Sequence, residues 1–286
     1  MKESMKIVVR GLYDIQKLRI QMGNRIVGNF KVKLGQAPGE SEKELDDEGK
    51  KILARLRTSY KNITKGVTTF PRESTFQGDG IIDTYSELRL IKGIMDLEYA
   101  ESEQEKTIKS LLGSFPIWND FLSGVTGIGP LMAGVIISEI DIHKAQYPSS
   151  LWAYAGLDVA ENGAGRSREK EHLVSRDYIN KEGEQAKRMG ITFNPFLKTK
   201  LIGVLASSFL RAGDNQYSAI YRDYKNRLEN HDVHKEKTKG HRHNMAMRYM
   251  IKMFLIDLHR EWRKLEGLPV SVPYAEAKLG KIHKVA

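Results

Sequence analysis

The run Gly127-Ile128-Gly129-Pro130 lies between two apolar segments, inside FLSGVTGIGPLMAGVIISEI at residues 121 to 140. Two glycines let a backbone turn tightly and approach an anion with no Cβ in the way. Pro130 at a first helical position leaves the following N–H groups and the positive helix end facing that anion. With Ala133, Ile136, Ile137 and Ile140 inward on the second helix, the pattern reads as a helix-hairpin-helix. Such a grip is indifferent to base sequence, because it touches phosphate and not base edges. A plain tight turn between two core helices uses the same residues; the apolar helix on each side and the basic residues nearby favour the anion.

Those basic residues fall in two groups. Arg166, Arg168 and Lys170 occupy the loop AENGAGRSREKEH. Its glycine and alanine positions suggest a mobile backbone, and arginine forks onto phosphate oxygens. Glu169 and Glu171 alternate with them, as in a solvated charged loop. Further on, Lys235, Lys237, Lys239, Arg242, Arg248 and Lys252 form a second strip, with Tyr249 placed to pack against sugar or base. His231, His234, His241 and His243 interleave with it, but no carboxylate or cysteine has a fitted position beside them, so they read as solvated loop and not as a zinc site. Met245, Met250 and Phe254 recur at helical spacing as a core face.

Metal-assisted phosphodiester cleavage needs clustered carboxylates. Asp46, Asp47 and Glu48 are adjacent and diverge on a helix, and Asp79 and Asp83 fall in a loop and a cap, so no metal site is expected. No GxSxG, P-loop or HExxH pattern occurs. No cofactor is identified.

The elements that carry these residues are predicted to be helices. Val8, Leu12, Ile15, Met22, Ile26 and Phe30 form one stripe, ending near a turn at residues 35–40. Ser41 with Glu44 makes a capping box for a second helix, with Leu45, Leu53, Leu56, Tyr60 and Ile63 inward. A long loop covers Thr69 to Gly80, and Asp83 caps a third helix whose later part, EYAESEQEKT, is polar enough to lie along solvent. Residues 1–112 thus form a helical coiled-coil module, and stripes without partners in so short a segment imply self-association.

Residues 113–286 form a second domain, with helices starting at Pro116, at a Ser149 cap and at Asn194-Pro195, the last running to Gly213. A β-hairpin turns at Asn180 to Gly183, and two helices follow, Tyr217 to Leu228 and about Asn244 to Leu265. The fold class is mainly α, with one small β-hairpin. The chain of 286 residues has 46 Lys+Arg against 36 Asp+Glu, a formal charge of +10 that favours a polyanion such as nucleic acid. It has no cysteine, which excludes disulfides and thiolate chemistry, and no apolar run of membrane-spanning length, so a cytoplasmic location and no membrane partner are expected.

In order along the chain, VTGIGPLMAGVIISEI, SLWAYAGLDVAENGAGRSR, NPFLKTKLIGVLASSFLRAG, AIYRDYKNRL and HNMAMRYMIKMFLIDLHREW resemble the insertion-sequence transposases of the IS-one-ten group. DIQKLRIQMGNRIVGNF is similar to that family's coiled coil. The resemblance implies DNA as the partner, in transposition or recombination of a mobile genetic element, by a homo-oligomer. It leaves room for a structured guide RNA or a nuclease partner. The family's RuvC-like nuclease domain has no counterpart here, so magnesium would enter only through such a partner. The other reading is a catalytically inactive, transposase-derived structural or regulatory DNA-binding protein. The family presents a nucleophilic serine in the loop after AYAGL, where this chain has Gly163. Ser167 is the nearby hydroxyl and the candidate catalytic residue; His172 could activate it, although a lone loop histidine is commonly just solvated.

Overall fold

The computed structural model describes residues 1–35 and 45–279, and among them the fold is mainly α with one two-stranded antiparallel sheet. The chain divides into two compact units, residues 7–108 and residues 1–6 with 109–286. The helix α1 (Lys2–Lys31) starts ahead of Val8 and supplies most of its length to the first unit. Leu12, Ile26 and Phe30 of the expected stripe are buried, and Val8, Ile15 and Met22 are half-buried.

The Ser41–Glu44 box lies outside the described residues. Helix α2 (Asp47–Ile63) is capped by Asp46, whose carboxylate accepts from the Gly49 N–H at 2.7 Å. Helix α3 (Tyr85–Leu112) takes its cap from Thr84 and not from Asp83. Thr84 Oγ1 accepts from Glu87 N–H at 3.2 Å while the Glu87 carboxylate accepts from Thr84 N–H at 3.0 Å, a reciprocal pair that satisfies two donors at once. Asp83 instead meets Lys33 at 3.0 Å.

Phe30, Ile52, Leu53, Leu56, Ile91 and Ile94, drawn from all three helices, share one buried cluster. The stripes expected to lack partners therefore find them inside the chain, each such side chain contributing about 1.5–3 kcal/mol on burial. Glu101 departs from the solvent-facing expectation for its segment: it is 9% exposed and accepts from Arg19 and from Gln16 at 3.0 Å.

In the second unit Pro116 opens α4 (Pro116–Asp120) and Pro130 opens α5 (Pro130–Glu139), which is buried from Met132 onward. Helix α6 (Pro148–Tyr154) begins one residue before Ser149, with Tyr147 as its cap. Proline's fixed φ suits a first helical position, so Pro148 and not Ser149 marks the start. The hairpin is β1 (Val174–Ile179) with β2 (Gln185–Gly190), closed where Asn180 N–H donates to Glu184 O at 2.9 Å.

Asn194 caps the next helical run, accepting from Leu197 N–H at 3.1 Å. That run is not one α-helix. It is α7 (Pro195–Thr199), a π-helical segment Lys200–Leu205, then α8 (Ala206–Arg211). Helices α9 (Gln216–Asn230), α10 (Lys239–Leu265) and α11 (Tyr274–Leu279) complete the unit. Helix α10 starts ahead of Asn244 because Thr238 caps it, accepting from His241 N–H at 3.2 Å. Its buried face, Met250, Ile251, Phe254, Leu255 and Leu258, packs against α8 and α9 through Phe209, Tyr217 and Phe254, whose rings lie 4.7 to 5.6 Å apart. No helix among the described residues is long and apolar enough to cross a membrane.

Candidate nucleic-acid interface

The Gly127–Pro130 turn divides into a packed half and an open half. Gly127 has φ 97°, and a Cβ there would lie 2.8 Å from the Phe209 ring of α8. Ser208, beside Phe209, donates its hydroxyl to the Gly127 carbonyl at 2.7 Å. Ile128 is buried as a core residue. Gly129 is different: it is extended (φ −94°, ψ 172°), has open space around it, and offers no side chain to cap α5. The first-turn N–H groups of α5, which an α-helix cannot satisfy internally, follow directly after it.

Lys237, Arg248 and Lys252 of the second basic group gather elsewhere in the same unit, and of the first group Arg166 reaches that region through Asp158. The 157–165 loop faces α9, α10 and the segment between them across a cleft of about 620 Å³, into which Asn162, Tyr224, Asn244, Arg248, Tyr249 and Lys252 project. The loop is laced and not slack. Ala160 N–H donates to Ala164 O at 2.8 Å, and Asn162 Oδ1 accepts from Ala164 N–H at 3.0 Å. Arg248 spans back 92 positions to donate to the Gly156 carbonyl at 3.2 Å, and its guanidinium lies where a Cβ on Gly165 would come within 2.8 Å. Loop and helix therefore fit because residue 165 has no side chain.

Charge in this region is concentrated and only partly compensated. Burial pulls the Arg248 and Lys252 pKa values down, Arg248 pushes Lys252 further the same way, and Asp158 opposes both shifts. The Lys252 ammonium sits 5.2 Å from the Trp152 ring centre. Lys198, from α7, donates to the Arg166 carbonyl and lies over Phe193; burial first, then Arg248, lowers its pKa to about 8. Asp158 is the local counter-charge, but Arg166 already holds its Oδ2 at 2.8 Å, and its buried Oδ1 has no hydrogen-bond partner. The Arg166 pKa rises through that same hydrogen bond.

Arg168 and Lys170 are exposed. Arg242 turns back on its own chain, donating to the Lys235 carbonyl at 2.6 Å and to that of Lys237, so it fixes the segment before α10. Tyr249 stacks on Tyr224 with ring centres 4.0 Å apart and an 8° interplanar angle. The four histidines are not all solvated loop: His241 and His243 lie on α10, His234 is half-buried in the cleft wall, and His243 Nδ1 meets the Tyr221 hydroxyl at 2.6 Å. The carboxylates weighed for catalysis are used locally. Asp47 pairs with Lys50 at 2.8 Å, Glu48 with Lys31 at 3.6 Å, and Asp79 accepts from the Ile81 and Ile82 N–H groups. No group of three or more potential metal ligands occurs among the described residues.

Residues 119–192 match the model of the Transposase IS116/IS110/IS902 family. The resemblance to that group is thereby shown over the segment holding the turn, the 157–172 loop and the hairpin. No curated protein and no solved structure matches. Within that segment Gly163 has φ 77°, a conformation an L side chain rarely adopts.

Ser167 lies four positions further along the same loop, and His172 is not solvated: it is 2% exposed. Its Nδ1 lies 2.8 Å from Ser167 Oγ and accepts from Ser167 N–H at 3.0 Å, while Nε2 lies 3.2 Å from Asn162 Oδ1. A backbone N–H can only donate, so Nδ1 is unprotonated and Nε2–H donates to Asn162. A hydroxyl, an imidazole base and an orienting amide thus stand in line.

Sequence reasoning missed Asp158, Asn162, Lys198 and Tyr224. Asn162 alone carried a local signal, an Asx residue ahead of a glycine turn; Asp158 and Tyr224 line the cleft, and Lys198 comes within reach of Asp158, only through long-range packing.

Proposed function

We propose that the cleft between the 157–165 loop and α10 receives the phosphate backbone of DNA, and that the chain acts as a DNA-binding protein of transposition. The observation that carries this reading is the convergence of Lys198, Arg248 and Lys252 around Asp158, a carboxylate already engaged by Arg166. Holding desolvated cations together without matching acids costs stability, and a polyanion offsets that cost. The transposase-family segment supports DNA as the polyanion and supports a role in transposition. The open Gly129–Pro130 half of the turn adds a second phosphate contact through N–H groups at a helix start.

The decisive measurement is DNA affinity against salt. Each neutralised phosphate contributes a slope of about −0.9 in log affinity against log salt, so about five contacts give about −4 to −5. A slope near zero, or a Lys252→Met variant with unchanged affinity and slope, would overturn the reading.

A second reading, Ser167 as a nucleophile, rests on the Ser167–His172–Asn162 line. If that hydroxyl is a nucleophile, the protein alone should nick supercoiled DNA. Nicking abolished by Ser167→Ala, with binding retained, supports catalysis; no nicking supports the binding role alone, with any cleavage supplied by a nuclease partner. Self-association and a guide RNA belong to the same proposal, and sedimentation of the full chain with sequencing of co-purified nucleic acid tests both.

A further inference from the structure

The β1–β2 ribbon has no use in the reading above, yet its two faces differ sharply. The register sets Arg176 directly opposite Arg188 and Tyr178 opposite Ala186 on one face. On the other, Asp177 stands opposite Lys187. Every residue of β1 is exposed, and β2 is exposed except at Ala186 and Gly190. Like charges directly opposite each other destabilise an antiparallel pair, whereas the Asp177–Lys187 arrangement stabilises it. Neither Arg176 nor Arg188 forms an ion pair among the described residues. The Arg188 guanidinium instead lies over the Tyr178 ring, 5.0 Å from its centre, which holds it on the cationic face. A lone two-stranded ribbon is marginal in water, and this one spends its cross-strand pairing on a repulsive pair.

We infer that this face enters the major groove of duplex DNA, with Arg176 and Arg188 on the anionic groove wall or on guanine edges. The inference rests on the reading of DNA as partner and adds the element that engages its groove. A two-stranded ribbon fits the B-form major groove, about 12 Å wide and 8.5 Å deep, while the A-form groove of RNA is too narrow for side chains to read. The charge-compensated Asp177–Lys187 face stays toward solvent.

The test uses the full chain and three variants: Arg176→Ser with Arg188→Ser, Asp177→Ser with Lys187→Ser, and Lys252→Met in the cleft. Circular dichroism checks that each keeps its fold, which substitutions at exposed positions should do. Anisotropy against a 30-base-pair DNA duplex should show a loss of about tenfold or more for the arginine pair, and little change for the control pair. Duplex RNA of the same sequence should not distinguish the arginine variant from wild type. The wild-type protein should protect guanine N7 from methylation in the major groove, and the arginine variant should lose that protection. Equal losses for both ribbon faces, unchanged affinity of the arginine variant, protection confined to adenine N3 in the minor groove, or no duplex binding by wild type would each overturn the inference. If Lys252→Met binds normally while the arginine pair does not, the cleft reading fails and the ribbon stands; the reverse result sinks the ribbon alone.

Discussion

The helical unit of residues 7–108 and the region around Arg248 and Lys252 of α10 handle positive charge in opposite ways. In the first, Arg19 meets Glu101, Arg57 meets Glu98, Lys33 meets both Asp83 and Glu87, and Lys92 meets Asp96. In the second, Lys198, Arg248 and Lys252 gather around carbonyls and aromatic rings, with one carboxylate already taken. Both units are rich in Lys and Arg, so composition does not separate them. Pairing does: Arg19, Lys33, Arg57 and Lys92 each meet a carboxylate, and among the described residues Lys198, Arg248 and Lys252 form no ion pair.

The largest expected effect tests the structural side. Phe30→Ala should destabilise the helical unit by about 3–5 kcal/mol, since it empties a fully buried site where three helices meet. Thermal unfolding should show it, while DNA affinity measured well below the transition stays near wild type. A large affinity loss with an intact fold would break the division of labour.

Next in size, Arg248→Met combined with Lys252→Met should lower DNA affinity by about ten- to a hundredfold in 0.1 M salt and flatten the salt slope by about 1.8. Arg19→Met should give the opposite pattern. It leaves the nearly buried Glu101 short of its charged partner, destabilising by about 1–3 kcal/mol with the salt slope unchanged.

Smaller effects follow from single contacts. Lys198, with its pKa lowered to about 8, loses its charge as pH rises from 7 to 9, so affinity should fall across that window, and Lys198→Arg should abolish the pH dependence. The stability change runs the other way. The unfolded chain binds that proton up to the ordinary lysine value, so above pH 8 the penalty on the folded state is relieved. Last, Gly129→Val should leave stability nearly unchanged, because the space around Gly129 is open, and weaken binding by a few-fold through blocked approach to α5. Gly127→Val must displace Phe209 and should lower stability first.

These contrasts mark what the sequence could and could not disclose. Asn194-Pro195, Pro116 and the Asn180–Gly183 turn were legible because each acts within a few residues of itself. The errors at Ser149 and Asp83 came from competition at close range, where Pro148 and the Thr84–Glu87 pair satisfy the same helix ends better. Arg248 and Lys252 were visible as cations, but nothing local tied them to Asp158 or Trp152, about a hundred positions away. His172 looked solvated because its two partners, Ser167 and Asn162, reach it only after the loop folds on itself.

The π-helical segment Lys200–Leu205 sets the phase between α7 and α8. Lys198 lies before it and donates to the Arg166 carbonyl, while Ser208 and Phe209 lie after it and brace Gly127. A π turn accommodates one more residue than an α turn, so deleting one residue there would leave an unbroken α-helix without the bulge. A deletion within α7 or α8 would instead rotate everything beyond it by about 100° about the helix axis. Single-residue length changes should accordingly be absorbed inside 200–205 and rejected on either side, which makes this short stretch the natural joint for insertions and deletions in the helix.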